Sequence, residues 1–391
     1  MGENPYLTNE ELSQIIGYKY AEYVSTLQKK LRNRGYFYGP LMFPDFGKIF
    51  KNKVSRVYAF IMFNRTYEYI RWLLKEIDCW IYFYPVEEGI FRKDVVCFIN
   101  SDIQKLKKIF DYLKDSGIIQ YYHLFKQEGR WEIINPTFLI GEKEAPIEPD
   151  FDHLMDDIPD PDLRYGSFAN ITLNEAAQLL LIYFWNGRQE CDLKKIIREE
   201  KRYREEREAA HMETPEPKKK KRGQNPVKPK LKELKGDLLL NEFREAYNVL
   251  VEHDVLEKIN YVFPFSPSRC SRFWLLLRCS SVEATKRVVF NFGRNVRIFS
   301  RVAMVQSEET GAWYGSIFAQ GDPFLVEKLM IALDRYPEIE DRKLFPTRSF
   351  PSSQWETQGI PLEGYYNPET QTLDYPYDLF YRRVKRKAEE K

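Results

Sequence analysis

The strongest constraint on this chain is an order of elements that occurs twice. Residues 56–63 (RVYAFIMF) read as a buried strand, and residues 67–77 as a helix with Ile70, Leu73, Leu74 and Ile77 on one face. Residues 80–86 and 91–99 read as strands around a turn at 87–89. Asp102 caps a helix through residue 113, residues 118–125 form a fourth strand, and residues 131–140 add a fifth. The same order returns later: a strand at 273–279, a helix at 282–292, strands at 296–306 and 313–319, a helix opened by Asp322 and Pro323, and a strand from 339. Each set is βαββαβ, the ferredoxin-like unit, in which an antiparallel sheet carries two helices on one face. Both units follow helices, so an internal duplication explains the chain better than four unrelated domains. The expected class is α+β: two winged or helix-turn-helix domains, each followed by a ferredoxin-like domain.

The first helix pair lies in residues 7–40. Thr8 and Glu11 form a capping box, Leu12, Ile15 and Ile16 give an apolar face, and Gly17 breaks the helix. A second helix sets Tyr20, Tyr23, Val24, Leu27 and Leu31 on one side, and Gly35 closes it. Its other side is polar and basic, as the reading helix of a helix-turn-helix requires. The N-terminal residues of such a helix read base edges, here Tyr18, Lys19, Glu22, Ser25 and Thr26. Lys29, Lys30, Arg32 and Arg34 lie farther along, placed to hold phosphates. An ordinary solvated helix face has the same composition.

In the second copy, Thr172 caps an apolar helix through residue 185, Asp192 starts a charged one, and residues 238–253 supply the third. That helix has Asn241, Glu242, Arg244, Glu245, Asn248 and Glu252 outward, a mostly acidic face that phosphates repel. A basic run (Lys218, Lys219, Lys220, Lys221, Arg222) lies in a disordered insertion at 205–235, where it is a flexible phosphate-binding arm or a solubilising loop. The division is therefore 1–50, helix-turn-helix; 51–140, ferredoxin-like; 141–167, acidic Pro-rich linker; 168–265, second helix-turn-helix; 266–348, second ferredoxin-like domain; and 349–391, C-terminal extension.

Five scattered cysteines, never in a CxxC pair, argue against a disulfide framework or a zinc site and for a reducing cytoplasm. The longest apolar run, residues 179–185, is too short to span a bilayer. The net charge of +2 leaves attraction to nucleic acid to local patches.

A helix-turn-helix, a linking strand and βαββαβ, in that order, resemble the Lrp/AsnC (feast/famine) transcription regulators of prokaryotes. Gly17, Val24, Ser25, Leu31 and Gly35 fall close to that family's Gly, Val-Ser, Leu and Gly positions. Residues 89–94 (GIFRKD) stand where its effector loops carry a Gly-Asp pair. The resemblance implies a transcription regulator that binds double-stranded DNA and self-associates through its sheets, as an intrachain pair or an oligomer. It leaves a small-molecule effector open, and no cofactor, metal or membrane is expected.

Two other classes compete. Siroheme decarboxylases share the plan and rely on His and Arg near a tetrapyrrole. Here the four histidines, His123, His153, His211 and His253, lie apart in sequence, and no GxSxG, HExxH, GxxxxGK or GxGxxG occurs. The chain is therefore expected not to be an enzyme. An interaction scaffold or RNA-binding module is the other rival, with Tyr82, Phe83 and Tyr84 as stacking candidates.

Overall fold

The computed structural model describes residues 2, 4–88, 91–130, 132–159, 162–212, 240–266, 269–347 and 356–390. Helices α1 (Asn9–Ile15) and α2 (Ala21–Asn33) lead into strand β1 (Phe37–Pro44) and a short helix, α3 (Phe46–Ile49). The Glu11 N–H donates to Thr8 Oγ1 at 3.2 Å, and the Thr8 N–H donates to the Glu11 carboxylate at 2.7 Å, which closes the capping box. The first βαββαβ unit runs β2 (Ser55–Phe63), α4 (Tyr67–Leu74), β3 (Trp80–Glu88), β4 (Phe91–Asn100), α5 (Ile103–Asp115) and β5 (Ile119–Gln127). Strand β6 (Glu132–Ile134) and a hairpin of β7 (Leu139–Ile140) and β8 (Lys143–Glu144) follow. The second half holds α6 (Glu175–Trp185), α7 (Leu193–Met212), α8 (Leu240–Glu252) and β9 (Leu256–Val262). Its βαββαβ unit is β10 (Ser271–Cys279), α9 (Val282–Asn291), β11 (Phe299–Ser307), β12 (Trp313–Gly321), α10 (Leu325–Leu333) and β13 (Ile339–Pro346). Strand β14 (Glu356–Thr357), the hairpin β15 (Tyr366–Asn367) and β16 (Thr372–Leu373), and helix α11 (Tyr377–Glu389) complete it. The fold is α+β with ferredoxin-like antiparallel sheets.

The two sheets are one sheet. Hydrogen bonds join the strands in the order β13-β10-β12-β11-β5-β2-β4-β3, with β11 and β5 as the seam between the halves. Val86 of β3 bridges Thr347, the residue after β13, and β14 pairs with Phe83 and Tyr82 of β3. The sheet thus returns to its first strand and closes as an eight-stranded barrel. The period-two alternation of a strand decides what each side chain meets. On β10, Phe273, Leu275 and Leu277 face outward into a core with Val288 and Val289 of α9 and Leu325 and Leu329 of α10. Trp274 faces the interior, where it meets Tyr58 at 5.4 Å and Phe60 at 5.6 Å from the opposite half. Phe60 also meets Phe345 at 4.7 Å, and Phe125 meets Tyr314 at 5.3 Å. Eight strands leave an interior that side chains of this size fill. A ligand must therefore use an end of the barrel.

One end is covered. Strands β1 and β9 pair antiparallel, from Phe37 opposite Val262 to Pro44 opposite Leu256, and α6 packs on β1 with Trp185 at 5.3 Å from Phe43. Beneath this layer the Arg56 guanidinium lies over the rings of Phe43, Phe46 and Trp185, at 5.1–5.6 Å.

Several expectations change. The acidic Pro-rich segment 141–167 is more than a linker: Leu154 is fully buried in the second core, and Asn291 Nδ2 donates to the carbonyls of Leu154 at 3.1 Å and Asp156 at 2.8 Å. Phe151, Met155, Ile158 and Leu163 pack against the same core, so sparse apolar residues anchor an acidic segment. The insertion is not disordered from 205, because α7 continues through Met212; its basic run at 218–222 lies outside the described residues. Asn174, not Thr172, caps α6, its side chain accepting from the Ala177 N–H at 2.8 Å. Residues 349–391 are more than an extension, because α11 buries Tyr377, Phe380 and Val384. The Tyr377 hydroxyl accepts from Asn100 Nδ2 at 2.7 Å and from the Ser101 N–H at 3.1 Å. Nor do the apolar faces of α1 and α2 meet a core along their length, for Ile15, Ile16, Tyr20 and Tyr23 are exposed.

Candidate active site at the barrel mouth

The covered end of the barrel is rich in Arg and Tyr. Arg301 Nη1 donates to the Tyr261 hydroxyl at 3.3 Å, Tyr58 donates to Gln127 Oε1 at 2.7 Å, and Arg272 Nε donates to Gln320 Oε1 at 3.1 Å. Gln127, Gln320 and Tyr58 are buried there. This end is a polar plug.

The opposite end is differently furnished. Register sets Met62 beside both Tyr121 and Lys93, and Phe60 beside His123. In the other half, register sets Leu276 beside Lys343 and Arg278 beside Asp341. All these side chains share the inward face, so Lys93, Tyr121, His123 and Lys343 line one rim. Lys93 Nζ stands 4.6 Å from the centre of the Tyr121 ring and 5.4 Å from that of Phe345. The His123 ring lies 5.5 Å from Tyr121, and its Nδ1 is 3.3 Å from Glu309 Oε2 on the turn between β11 and β12. Across the rim Tyr314 donates to Asp341 Oδ2 at 2.8 Å, and Arg278 Nη1 donates to Glu340 Oε2 at 2.6 Å. The His123 side chain is 32% exposed, whereas Lys93 is buried at 4%.

The electrostatics follow from this crowding of cations. Burial lowers the Lys93 ammonium, and the charge of Lys343 lowers it further, to about 8. Burial also lowers the His123 imidazole, and so does Lys343; Glu309 pulls the other way, and Lys93 adds to the lowering. Like charges brought together under partial desolvation disfavour their own charged forms. An anion at the rim relieves that penalty, so the site favours a carboxylate or phosphate. It also holds two groups able to exchange protons near neutrality.

The residues expected to read DNA are elsewhere. Tyr18, Lys19, Glu22, Ser25, Thr26, Lys29, Lys30, Arg32 and Arg34 are all exposed, on α2 and the turns that flank it. Arg32 is engaged locally: its Nε and Nη2 donate to the Gly39 carbonyl at 3.2 and 3.0 Å, which ties α2 to β1. From the sequence His123 is one of four scattered histidines, and neither Lys93 nor Lys343 stands out. The stretch YYHLF carried a usable signal, because its alternation sends Tyr121, His123 and Phe125 to one face. Among the described residues, no three of His, Cys, Asp and Glu gather as a metal site, and no helix is long and apolar enough to cross a membrane.

No protein-family model matches the chain, and no curated protein matches it. Solved structures do. The siroheme decarboxylase NirDL is similar over 98% of this chain and 93% of that one, at 10% identity and a TM-score of 0.42. Its co-complex with an iron-uroporphyrin III analogue gives 11% identity, the same coverage and a TM-score of 0.44. An anthrone oxidase-like protein is similar over 83% of this chain and 99% of that one, at 6% identity and a TM-score of 0.33. These findings correct the expectation that the chain is not an enzyme, since the structures that match nearly its whole length are those of an enzyme. At such identities and scores they carry no argument for a substrate.

Proposed function

We propose that the chain is an enzyme acting on a carboxylate-bearing substrate at the barrel mouth, with decarboxylation of a siroheme-type tetrapyrrole as the specific activity. The observation that supports this reading is the convergence of Lys93, His123 and Lys343 on one rim, with the pKa values of Lys93 and His123 both lowered. Two lysines and an imidazole suit a substrate with several carboxylates, because each salt link is stronger where water is partly excluded. Tyr121 and Phe345 supply flat apolar surface beside the charges. Loss of carbon dioxide from an acetate arm breaks one C–C bond and leaves its electron pair on carbon. A conjugated ring accepts that pair, and one proton must then be delivered to the same carbon. No oxidant is consumed. His123 is placed for the delivery: the substrate's own carboxylates raise its pKa on binding, which charges it before the step. Anaerobic incubation of the purified chain with siroheme, followed by mass spectrometry, tests this. The expected result is loss of carbon dioxide from the tetrapyrrole, abolished in His123→Gln. An unchanged tetrapyrrole at high enzyme concentration would reject the activity.

One observation supports a second reading, sequence-specific DNA binding in gene regulation. Lys29 and Lys30 on α2, and Arg34 just past its end, all stand exposed. Gel shifts with duplex DNA across a salt series test it. Lys29→Ala with Lys30→Ala should flatten the salt slope by about one unit per lysine. Equal binding by the variant removes the reading.

A further inference from the structure

The turn between β11 and β12 is held against the strand that carries His123. Strand β5 pairs with β11 through Lys126 opposite Gln306 and Phe125 opposite Ser307. One more bond follows beyond the ladder, where the Glu308 N–H donates to the Leu124 carbonyl at 2.9 Å. Within the turn the Ser307 N–H donates to the Ala312 carbonyl and the Gly311 N–H to the Ser307 carbonyl, both at 2.9 Å. Gly311 supplies the left-handed residue, at φ +68°. On the flank, the Glu308 carboxylate accepts from Gln104 Nε2, next to the start of α5. The backbone at Glu309 is thereby fixed relative to Leu124, the neighbour of His123. From that base its carboxylate reaches His123, with Oε2 3.3 Å from Nδ1.

We propose that Glu309 is a positioning residue: it holds the hydrogen of neutral His123 on Nδ1 and leaves Nε2 to exchange a proton with the substrate. A carboxylate accepts and does not donate, so the shared hydrogen belongs to Nδ1. The bond made by one ring nitrogen decides the state of the other. Tyr121 presents its ring to the imidazole at 5.5 Å, and the charged groups that face it are Lys93 of β4, Lys343 of β13 and Glu309. Of those three, Glu309 is the anion, and it favours the charged ring against burial and the two lysines. In the charged ring both nitrogens carry hydrogen. The Nε2–H bond then breaks, its electron pair stays on Nε2, and the proton forms a C–H bond at the carbon that lost carbon dioxide. The ring is left in the Nδ1–H form, already matched to Glu309. The tautomer is a property of the free chain, whereas the proton delivery rests on the decarboxylase reading above.

Long-range proton–nitrogen NMR of the full chain reads the tautomer at a pH where the ring is neutral, with His123 assigned by His123→Gln. The expected spectrum is that of an Nδ1–H imidazole. Glu309→Ala should mix in the Nε2–H form and lower the titration midpoint of His123. Glu309→Gln keeps an accepting oxygen without the charge, so it should retain the tautomer and lower only the midpoint. A wild-type His123 in the Nε2–H form, or a tautomer and midpoint that Glu309→Ala leaves unchanged, would overturn the assignment. In turnover of siroheme, Glu309→Ala should lower kcat by about tenfold, as loss of an orienting partner does. KM should stay level or fall, because a carboxylate has left an anion site. A kcat equal to that of the wild type would likewise refute the positioning role. A wild-type chain that leaves siroheme intact rejects the activity, while the spectra still decide the role of Glu309.

Discussion

The two halves of the barrel agree inside and disagree at the rim. Tyr58 and Trp274 hold matching positions in the interior, as do Phe125 and Phe345, and each pair is aromatic. At the rim the matching positions are His123 and Lys343, Tyr121 and Asp341, Lys93 and Tyr314, none of them alike. In the second half the polar groups are engaged with one another, through Tyr314 with Asp341 and Arg278 with Glu340. Around His123 of the first half, Lys93 and the second half's Lys343 crowd as cations instead. The interior must be filled to close the barrel, which holds both copies to large apolar side chains. The rim carries no such constraint, so the positions around His123 are free to form a site while the paired groups of the second half frame it.

That contrast is breakable at several positions. The largest effect is expected for His123→Gln, a loss of about 10²–10⁴ in kcat/KM on a carboxylate tetrapyrrole, the range over which a positioned acid or base contributes. Tyr314→Phe, in the framing half, should cost less than about tenfold by the same assay. Equal losses would dissolve the distinction between the halves. In the interior the expectation reverses, and the halves should behave alike. Tyr58→Ala and Trp274→Ala should each destabilise by about 3–5 kcal/mol in denaturant unfolding. A cost confined to one half would mean that the barrel is not a single core.

A smaller effect concerns pH. The Lys93 ammonium is held down to about 8 in the folded chain, against about 10.4 for an unperturbed lysine. Between those values the unfolded chain binds more protons, so this group makes stability rise with pH across that window. Below it, the charged and crowded ammonium is a standing cost. Lys93→Met should therefore raise stability at neutral pH and remove the rise above pH 8, measured by unfolding at a series of pH values. An unchanged profile would mean that Lys93 is not confined at the rim.

The sequence made the repeat and most elements legible, because strands such as 56–63 and helices such as 102–113 carry clear apolar periods. The α+β class followed from them. The rim was not legible. Lys93, His123 and Lys343 lie on three strands, and only the closure of β3 against β13 and the register of each pair bring them together. Strand β9 was missed as well, since LEKINYV mixes charge with apolar residues and becomes a strand by pairing with β1. The docking of Leu154 was hidden for a similar reason, a few apolar residues among many acids.

The central claim is an anion site built around His123. Nitrogen-detected NMR on the four histidines, with His123 assigned by His123→Gln, reads it directly. The imidazole should titrate below the ordinary histidine value in the free chain and move upward when uroporphyrin is added. A His123 that titrates as an ordinary exposed histidine and ignores the porphyrin would contradict the account.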